Sequence, residues 1–278
     1  MNINSLIQKF SGRKKAAGIA PPVLGAAVRF PYGPFQFKTQ LPKGTAFIIQ
    51  TTADLHIWKT LADGVAGAEA TEYLDSEASQ FSYRFYRLVA GEVHSTNVLG
   101  YASITLPPGF SMIANPLDGP SNNVGDMFTN WPNGTTLHKF DTGLFKVAEN
   151  SVEDGKWTNP TEKLMPGEGA IFFNPTLDYK SHSFVGEVSQ WNLSIPIPAG
   201  FSLRSSIIPQ PGSLDDLEFP IGEGDVIHLF DRDRQQYVLH PYEGGKWTAG
   251  TPVVSVGEAF WVAKTEAANW VRNFSIEA

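Results

Sequence analysis

The chain of 278 residues contains no cysteine, which excludes disulfides, thiolate metal sites, iron–sulfur clusters and a cysteine nucleophile. It has no apolar run near the roughly 20 residues that span a bilayer, so no transmembrane segment is expected. Basic residues are outnumbered, 21 against 28 acidic ones, which argues against a nucleic-acid partner held by bulk charge. It also lacks a glycine-rich phosphate loop, so nucleotide chemistry has no support.

Residues 1–28 differ in composition from the rest of the chain, because they are basic, contain no acidic residue and are rich in proline and glycine. A basic arm on an acidic body is expected to attach to a neighbouring copy or to another anionic surface. Glycines and prolines interrupt its apolar stretch, which makes it a poor signal peptide. The alternative interpretation is an unanchored tail. The predicted assembly arm centres on Lys9, Phe10, Arg13, Lys14 and Lys15.

Residues 29–94 carry short strand patterns at regular spacing. Phe35–Lys38 alternates apolar and polar side chains, and Ala46–Gln50 is a buried run that follows a Pro-Lys-Gly turn. The segment closes with another strand pattern at Tyr83–Leu88. These features predict a small antiparallel β-sandwich.

Two short motifs and two single residues stand out in this segment: Thr52-Ala53-Asp54-Leu55, Arg84-Phe85-Tyr86-Arg87, Trp58 and Asp75. They resemble a fibronectin-type-III-like module found at the ends of large exported bacterial surface proteins. The resemblance implies a fold and no activity, because its residues are packing residues. Trp58 is accordingly expected in the core, with a ligand platform as the alternative.

Residues 95–278 repeat themselves at a spacing of about 90 residues. The blocks recur in the same order as Leu106–Met112 and Ile197–Leu203, Leu137–Asp141 and Ile227–Asp231, Gly155–Thr158 and Gly245–Thr248, and Gly167–Glu168 and Gly257–Glu258. Four blocks at one offset predict two copies of a small β unit, residues 95–186 and 187–278. The complete fold prediction is therefore all-β: an extended N-terminal arm, one small sandwich and a duplicated β unit.

The words Leu106-Pro107-Pro108-Gly109-Phe110-Ser111 and Pro166-Gly167-Glu168-Gly169 also resemble a β repeat of uncharacterised exported bacterial surface proteins. That resemblance implies a surface protein and no established activity. The second copy departs from the first, for example with Ala259 in place of Gly169, which suggests that the copies no longer do identical jobs.

His138 and His228 recur, each with an aspartate three residues later. A metal or hydrolase site would need such groups to converge. Positions three apart on a strand point to opposite faces, so each pair is expected to diverge. We expect the histidines to pack on half-buried strand faces beside Phe140 and Phe230.

Glu168 and Glu258 also recur, each after a glycine at the entry to an apolar strand. Two carboxylates could act as the acid and base of a glycoside hydrolase if they converged. The local alternative is that each accepts backbone N–H bonds and locks its own turn, and we expect this one. No catalytic residue, metal site or cofactor is therefore predicted. We expect the acidic cluster to be a solvated face; it comprises Asp215, Asp216, Glu218, Glu223 and Asp225.

Tryptophans are frequent in the repeated half, and exposed indoles are suited to stacking on sugars. Trp157 and Trp247 recur at the 90-residue spacing and are expected in the core. Those without tryptophan counterparts are the predicted ligand-binding surface, namely Trp131, Trp191 and Trp270.

The sequence as a whole predicts a non-enzymatic structural or adhesion subunit of an extracellular or virion surface assembly, with the arm mediating assembly. Its partners would be copies of itself, or a scaffold or capsid protein. The retained Met1, without a convincing signal peptide, favours assembly from the cytoplasm, as for a capsid-decorating or tail-associated phage protein. The alternative is a carbohydrate-binding protein with glycans as partners.

Overall fold

A computed structural model describes residues 20–30, 33–67, 70–141 and 146–275. It is nearly all β, with 54% of residues in strands and 3% in helix, which confirms the predicted fold class. The helical elements are a 3₁₀ turn, Ala78–Gln80, and a short helix α1, Val124–Met127. The strands of the described part, in chain order, are β1 (Val23–Arg29), β2 (Phe35–Gln40), β3 (Ala46–Thr52), β4 (Lys59–Val65), β5 (Ala70–Asp75), β6 (Tyr83–Ala90), β7 (Val93–His94), β8 (Leu99–Leu106), β9 (Gly109–Ile113), β10 (Thr136–Asp141), β11 (Lys146–Glu153), β12 (Lys156–Trp157), β13 (Ala170–Asn174), β14 (Lys180–Glu187), β15 (Trp191–Ile197), β16 (Gly200–Arg204), β17 (Gly212–Ser213), β18 (Val226–Asp231), β19 (Gln236–Glu243), β20 (Lys246–Trp247), β21 (Val253–Val254), β22 (Phe260–Lys264) and β23 (Ala268–Phe274).

The N-terminal part is a sandwich of two antiparallel sheets. One sheet has the order β1-β2-β5, and the other has the order β14-β8-β6-β3-β4 with β7 beside β6. Phe35 and Phe37 project inward from β2 at alternate positions and pack against Tyr86 and Tyr101 of the opposite sheet. These four rings are fully buried and form the aromatic centre of the core.

The residues on which the fibronectin-like resemblance is based lie in or beside the core of this sandwich. Asp75 is 2% exposed, and its carboxylate accepts bonds from Arg84 at 2.7 Å and from the Tyr86 hydroxyl at 2.6 Å. Trp58 is half-buried under the Arg87 guanidinium, which lies 4.3 Å from its ring centroid.

The prediction of an extended arm over residues 1–28 places the end of the arm too far along the chain. Residues 23–28 form most of β1, and Leu24 is 1% exposed. The backbone of Leu24 is bound in both directions by the side-chain amide of Asn97, at 2.9 and 2.7 Å. Residues 23–28 are therefore part of the sandwich and do not belong to the arm.

The second sheet of the sandwich continues across the predicted boundary between residues 94 and 95. β8 pairs with β6 on one side and with β14 on the other. The first repeat unit therefore contributes two strands to the sandwich sheet.

Each repeat unit also contains a five-stranded antiparallel sheet, and the two sheets have the same strand order, β9-β13-β10-β11-β12 and β16-β22-β18-β19-β20. Their registers correspond as well: Leu137 lies opposite Phe172, and Ile227 lies opposite Val262, 90 residues further along in both strands. The duplication itself stays an inference from the sequence. Below, a counterpart is the residue at the matching register position of the other unit.

Candidate functional site

The two repeat units meet through contacts that occur twice, once in each direction. The backbone N–H of Ala114 donates to the carbonyl of Gly257 at 2.9 Å, and that of its counterpart Ser205 donates to the carbonyl of Gly167 at 3.1 Å. A small apolar cluster fills the junction, with Met112, Ala114, Leu203 and Ala259 buried at its centre. The junction thus has approximate twofold symmetry within one chain, as the interface of a dimer would.

Glu168 and Glu258 lie in the two turns that form this junction. Glu258 accepts a bond from the backbone N–H of Ser255 at 2.9 Å, and Glu168 accepts one from that of Met165 at 2.9 Å. Glu168 also pairs with Lys139 at 2.9 Å, and burial raises the pKa of Glu258. Each carboxylate is held in its own turn, which is the local role expected of it.

His138 and His228 lie half-buried on the strand faces that meet at the junction. His138 bonds the hydroxyl of Thr136 at 2.8 Å, whereas His228 packs between aromatic rings, 5.8 Å from the centroid of Phe201. Asp231 accepts bonds from the backbone and side chain of Arg234 in its own turn. The geometry therefore favours the strand-packing interpretation of the histidines.

Two of the three tryptophans predicted at the surface are buried. Trp131 is 8% exposed and packs edge-to-face on Phe172, and Trp270 is fully buried with its indole N–H bonded to the carbonyl of Leu217 at 2.8 Å. The prediction was wrong for these two residues. Trp191 alone is at the surface as predicted, with 62% exposure and a φ of 74°, a backbone conformation that bulky residues rarely adopt.

The buried position of Trp270 follows from a difference in loop length between the units. The loop before β14 has five residues, 175–179, whereas the loop before β23 has three, 265–267. In the strand register Trp270 lies opposite Ile195, as His182 lies opposite Ile104, and Ile195 is the counterpart of Ile104. Trp270 therefore takes the core position of His182.

The acidic cluster is only partly a solvated face. Asp225 is fully buried against Lys264, which corrects the prediction at that position, whereas Asp215, Asp216, Glu218 and Glu223 are exposed. Within the described ranges no group of three histidine, aspartate or glutamate side chains could hold a metal ion. The predicted arm residues Lys9, Phe10, Arg13, Lys14 and Lys15 lie outside the described residues.

A groove lined by five rings opens where the first unit meets the outer face of the second unit's sheet. It is a shallow depression of about 280 Å³ lined by Phe140, Phe201, His228, Tyr237 and Trp261. Phe140 comes from β10 of the first unit, and the other four come from strands of the second unit. We call this feature the aromatic groove.

The walls of the aromatic groove stand steeply to one another. The ring of Trp261 meets Phe140 at an interplanar angle of 75° and Phe201 at 80°, with centroids 4.9 and 6.4 Å apart. His228 and Tyr237 meet at 79°. Phe201 and Tyr237 are 42% and 43% exposed, so the groove is open to solvent.

Sequence reasoning missed the aromatic groove, although a comparison of the copies contains a signal for it. The counterparts of Trp261 and Tyr237 in the first unit are Ile171 and Val147, which occupy the same register positions. The sheet therefore accepts aliphatic side chains there, and packing alone does not demand the rings.

A second cavity, of about 380 Å³, lies beside α1 and β14. Its two buried polar side chains are Asn115 and Asn122. Asn115 donates to Asn122 and to the carbonyl of Leu164, and Asn122 also accepts a bond from the backbone of Gly119 and donates to Asp118. These buried amide groups already have hydrogen-bond partners within the protein, so they are not available to bind a ligand in the cavity.

No family model, curated protein or solved structure matches this chain. The two resemblances noted from the sequence therefore stay hypotheses. No helix within the described ranges is both long and apolar enough to cross a membrane.

Proposed function

We propose that the chain is a non-enzymatic structural or adhesion subunit of a surface assembly, in which the N-terminal arm contacts a neighbouring subunit. The single observation that carries the proposal is the place where the arm joins the fold. Residues 1–19 lead through Ala20–Pro22 into β1, which is an edge strand of the sandwich.

The part of β1 that follows Leu24 has the properties of an edge that pairs with another chain, whereas the backbone of Leu24 itself is already bonded by Asn97. Within the described part of the protein, β2 is the one strand hydrogen-bonded to it. Val23 and Val28 are 52% and 53% exposed along this strand, and Phe30 follows at 41%. An exposed apolar edge strand is a template for pairing with another copy.

Charge supports a neighbouring copy as the partner. The arm carries four basic residues, which leaves 17 basic and 28 acidic residues for the rest of the chain. The positive arm of one copy is therefore attracted to the negative body of the next. This attraction is expected to weaken with salt, because dissolved ions screen the interaction between exposed charges.

The mass of the protein in solution tests the proposal. In light scattering, the full chain is expected to form oligomers at low salt, and a variant with Lys9, Arg13, Lys14 and Lys15 all changed to Glu is expected to be monomeric. A chain that starts at residue 20 lacks the four basic residues and is therefore also expected to be monomeric. It is expected to fold, because it keeps β1 and every later strand. Truncation at residue 28 is not a fair test, since it removes Leu24 from the core.

The proposal fails if the charge-reversed and truncated chains keep the oligomeric state of the full chain. It also fails if the full chain is monomeric in solution and does not co-purify with a virion or cell-surface assembly. A folded body in each variant is checked by an unchanged thermal midpoint.

Carbohydrate binding is the second candidate function, and the exposed indole of Trp191 favours it. An accessible indole face stacks on the apolar face of a sugar. A glycan that binds there is expected to change tryptophan emission, and Trp191→Ala is expected to abolish the change. A glycan response that persists in this variant would contradict binding at Trp191.

A further inference from the structure

We propose that the aromatic groove binds the trimethylammonium group of choline. This inference goes beyond the assembly role and uses neither the arm nor β1. It also stands apart from the carbohydrate candidate, which uses Trp191. It rests on the shape of the groove, its polar inventory and its charge.

The shape of the aromatic groove suits a small rounded cation. Aromatic ring faces carry partial negative charge and attract a cation within about 6 Å of the centroid. Trp261 stands at 80° to Phe201 and His228 at 79° to Tyr237, with centroids 6.4 Å apart in both pairs, so the groove has ring walls of more than one orientation. Phe140 closes it by edge-to-face contact with Trp261. A volume of about 280 Å³ accepts one ammonium head with a short tether.

The polar inventory of the aromatic groove argues against a sugar. The indole N–H of Trp261 donates to the hydroxyl oxygen of Tyr237 at 3.2 Å, so the indole donor is already used and the Tyr237 O–H keeps its own proton to donate. Apart from that O–H, the polar atoms left on the lining side chains are the two nitrogens of the His228 ring. A sugar would bury hydroxyls that each need a partner, whereas a trimethylammonium has no N–H to satisfy.

The charge of the aromatic groove also fits a cation. None of its described lining residues is a lysine or an arginine. Burial lowers the pKa of His228, so this ring is neutral at pH 7 and does not repel a cation. The net charge of −7 on the chain adds a long-range attraction.

The difference between the two units supports a role for these rings beyond packing. The first unit builds the same sheet with Ile171 and Val147 at the positions of Trp261 and Tyr237. The rings of Trp261 and Tyr237 therefore add aromatic surface that the fold does not require at these two positions. Exposed apolar clusters of this kind mark binding sites.

The experiment is a calorimetric and fluorescence titration of the full chain with choline chloride. The matched control ligand is 3,3-dimethylbutanol, which has the shape of choline without its charge. Choline is expected to bind and to change tryptophan emission, and the neutral ligand is expected to bind at least tenfold more weakly. Sodium chloride at the same concentration controls for ionic strength.

Two variants locate the site and use residues that the first unit already tolerates. Trp261→Ile and Tyr237→Val are each expected to weaken choline binding at least tenfold. Trp191→Ala, outside the aromatic groove, is expected to leave choline affinity unchanged. Tyr237 is 43% exposed, so its variant keeps the test valid even if Trp261→Ile does not fold.

The source of the group is tested with phosphocholine and with a trimethyllysine peptide. Binding of choline and phosphocholine supports the proposal. Equal binding of choline and its neutral analogue overturns it, because the groove would then be merely apolar. Binding of trimethyllysine without choline, or of monosaccharides without choline, overturns it as well, and so does the absence of choline binding.

Discussion

Lys264 and Asp225 form a buried ion pair, with Nζ and Oδ2 2.5 Å apart, at positions that Asn174 and Thr135 occupy in the first repeat unit. Burial disfavours the charged carboxylate, but bonds from Lys264, Thr265 and Gly222 outweigh it and lower the pKa of Asp225. The first unit fills the same location with two uncharged side chains: Asn174 donates to the carbonyls of Leu106, Pro107 and Asp178, and the Thr135 hydroxyl has no hydrogen-bond partner in the described part of the chain.

Removing one member of this pair is expected to be severe. Asp225→Asn or Lys264→Met should lower the free energy of unfolding by about 3–5 kcal/mol, because the remaining charge stays buried without its partner. The double variant Asp225→Thr, Lys264→Asn, which copies the first unit, should lose less than either single variant. Urea denaturation measures all three. Arg234→Ala, which breaks an exposed pair with Asp231, is the control and should cost about 1 kcal/mol or less.

A methyl group on Gly169 is expected to disturb the junction between the units. A Cβ at this position would lie 2.8 Å from the Cβ of Ala259 and 2.7 Å from Cγ of Leu203. Gly169→Ala should therefore destabilise the protein by about 1–3 kcal/mol through overpacking. Gly67→Ala is the control, since nothing lies within 4 Å of its Cβ. Equal thermal midpoints for the two variants would show that the junction does not pack as described.

The hydroxyl of Tyr86 is expected to stabilise the sandwich through Asp75. Burial, together with the bond to Asp75, raises the pKa of Tyr86. Tyr86→Phe removes a bond to a buried carboxylate and should lower the free energy of unfolding by about 1.5–3 kcal/mol. Tyr179→Phe, at a residue 64% exposed, should have no measurable effect in the same denaturation experiment.

The fold class could be predicted from sequence because strand periodicity and turn residues are local signals. The end of the arm could not, because Leu24 is held by the side chain of Asn97, 73 residues away. The buried position of Trp270 could not be predicted for a related reason. A loop shortened by two residues moved it out of the 90-residue alignment, and only the pairing of β15 with β23 restores the correspondence.

The turn role of Glu168 and Glu258 was within reach of sequence reasoning, because a carboxylate that bonds a backbone N–H three residues earlier is a local motif. The aromatic groove was only partly within reach. Trp261 and Tyr237 differ visibly from Ile171 and Val147, but the wall formed by Phe140 comes from the other unit. The contact of Phe140 with the second unit depends on how the two units pack, and the spacing of motifs in the sequence does not predict that packing.

His182 is a buried histidine in an aromatic environment. Its ring stacks on Phe128 with centroids 4.3 Å apart and meets Phe184 edge-on at 4.6 Å, and Trp131 lies beyond at 6.4 Å. Its Nε2 has no hydrogen-bond partner within the described part of the chain. Burial lowers the pKa of His182 to about 3, so the folded protein holds the ring neutral.

This environment predicts a loss of stability in acid. The unfolded chain takes up a proton below pH 6.5 or so, whereas the folded chain does not until about pH 3. The free energy of unfolding should therefore fall by up to about 1.4 kcal/mol for each pH unit between these limits. His182→Phe should flatten this slope, and exposed His56→Ala should leave it unchanged. Urea denaturation between pH 4 and 8 measures the slopes, and equal slopes for His182→Phe and the unchanged protein would contradict a neutral buried ring.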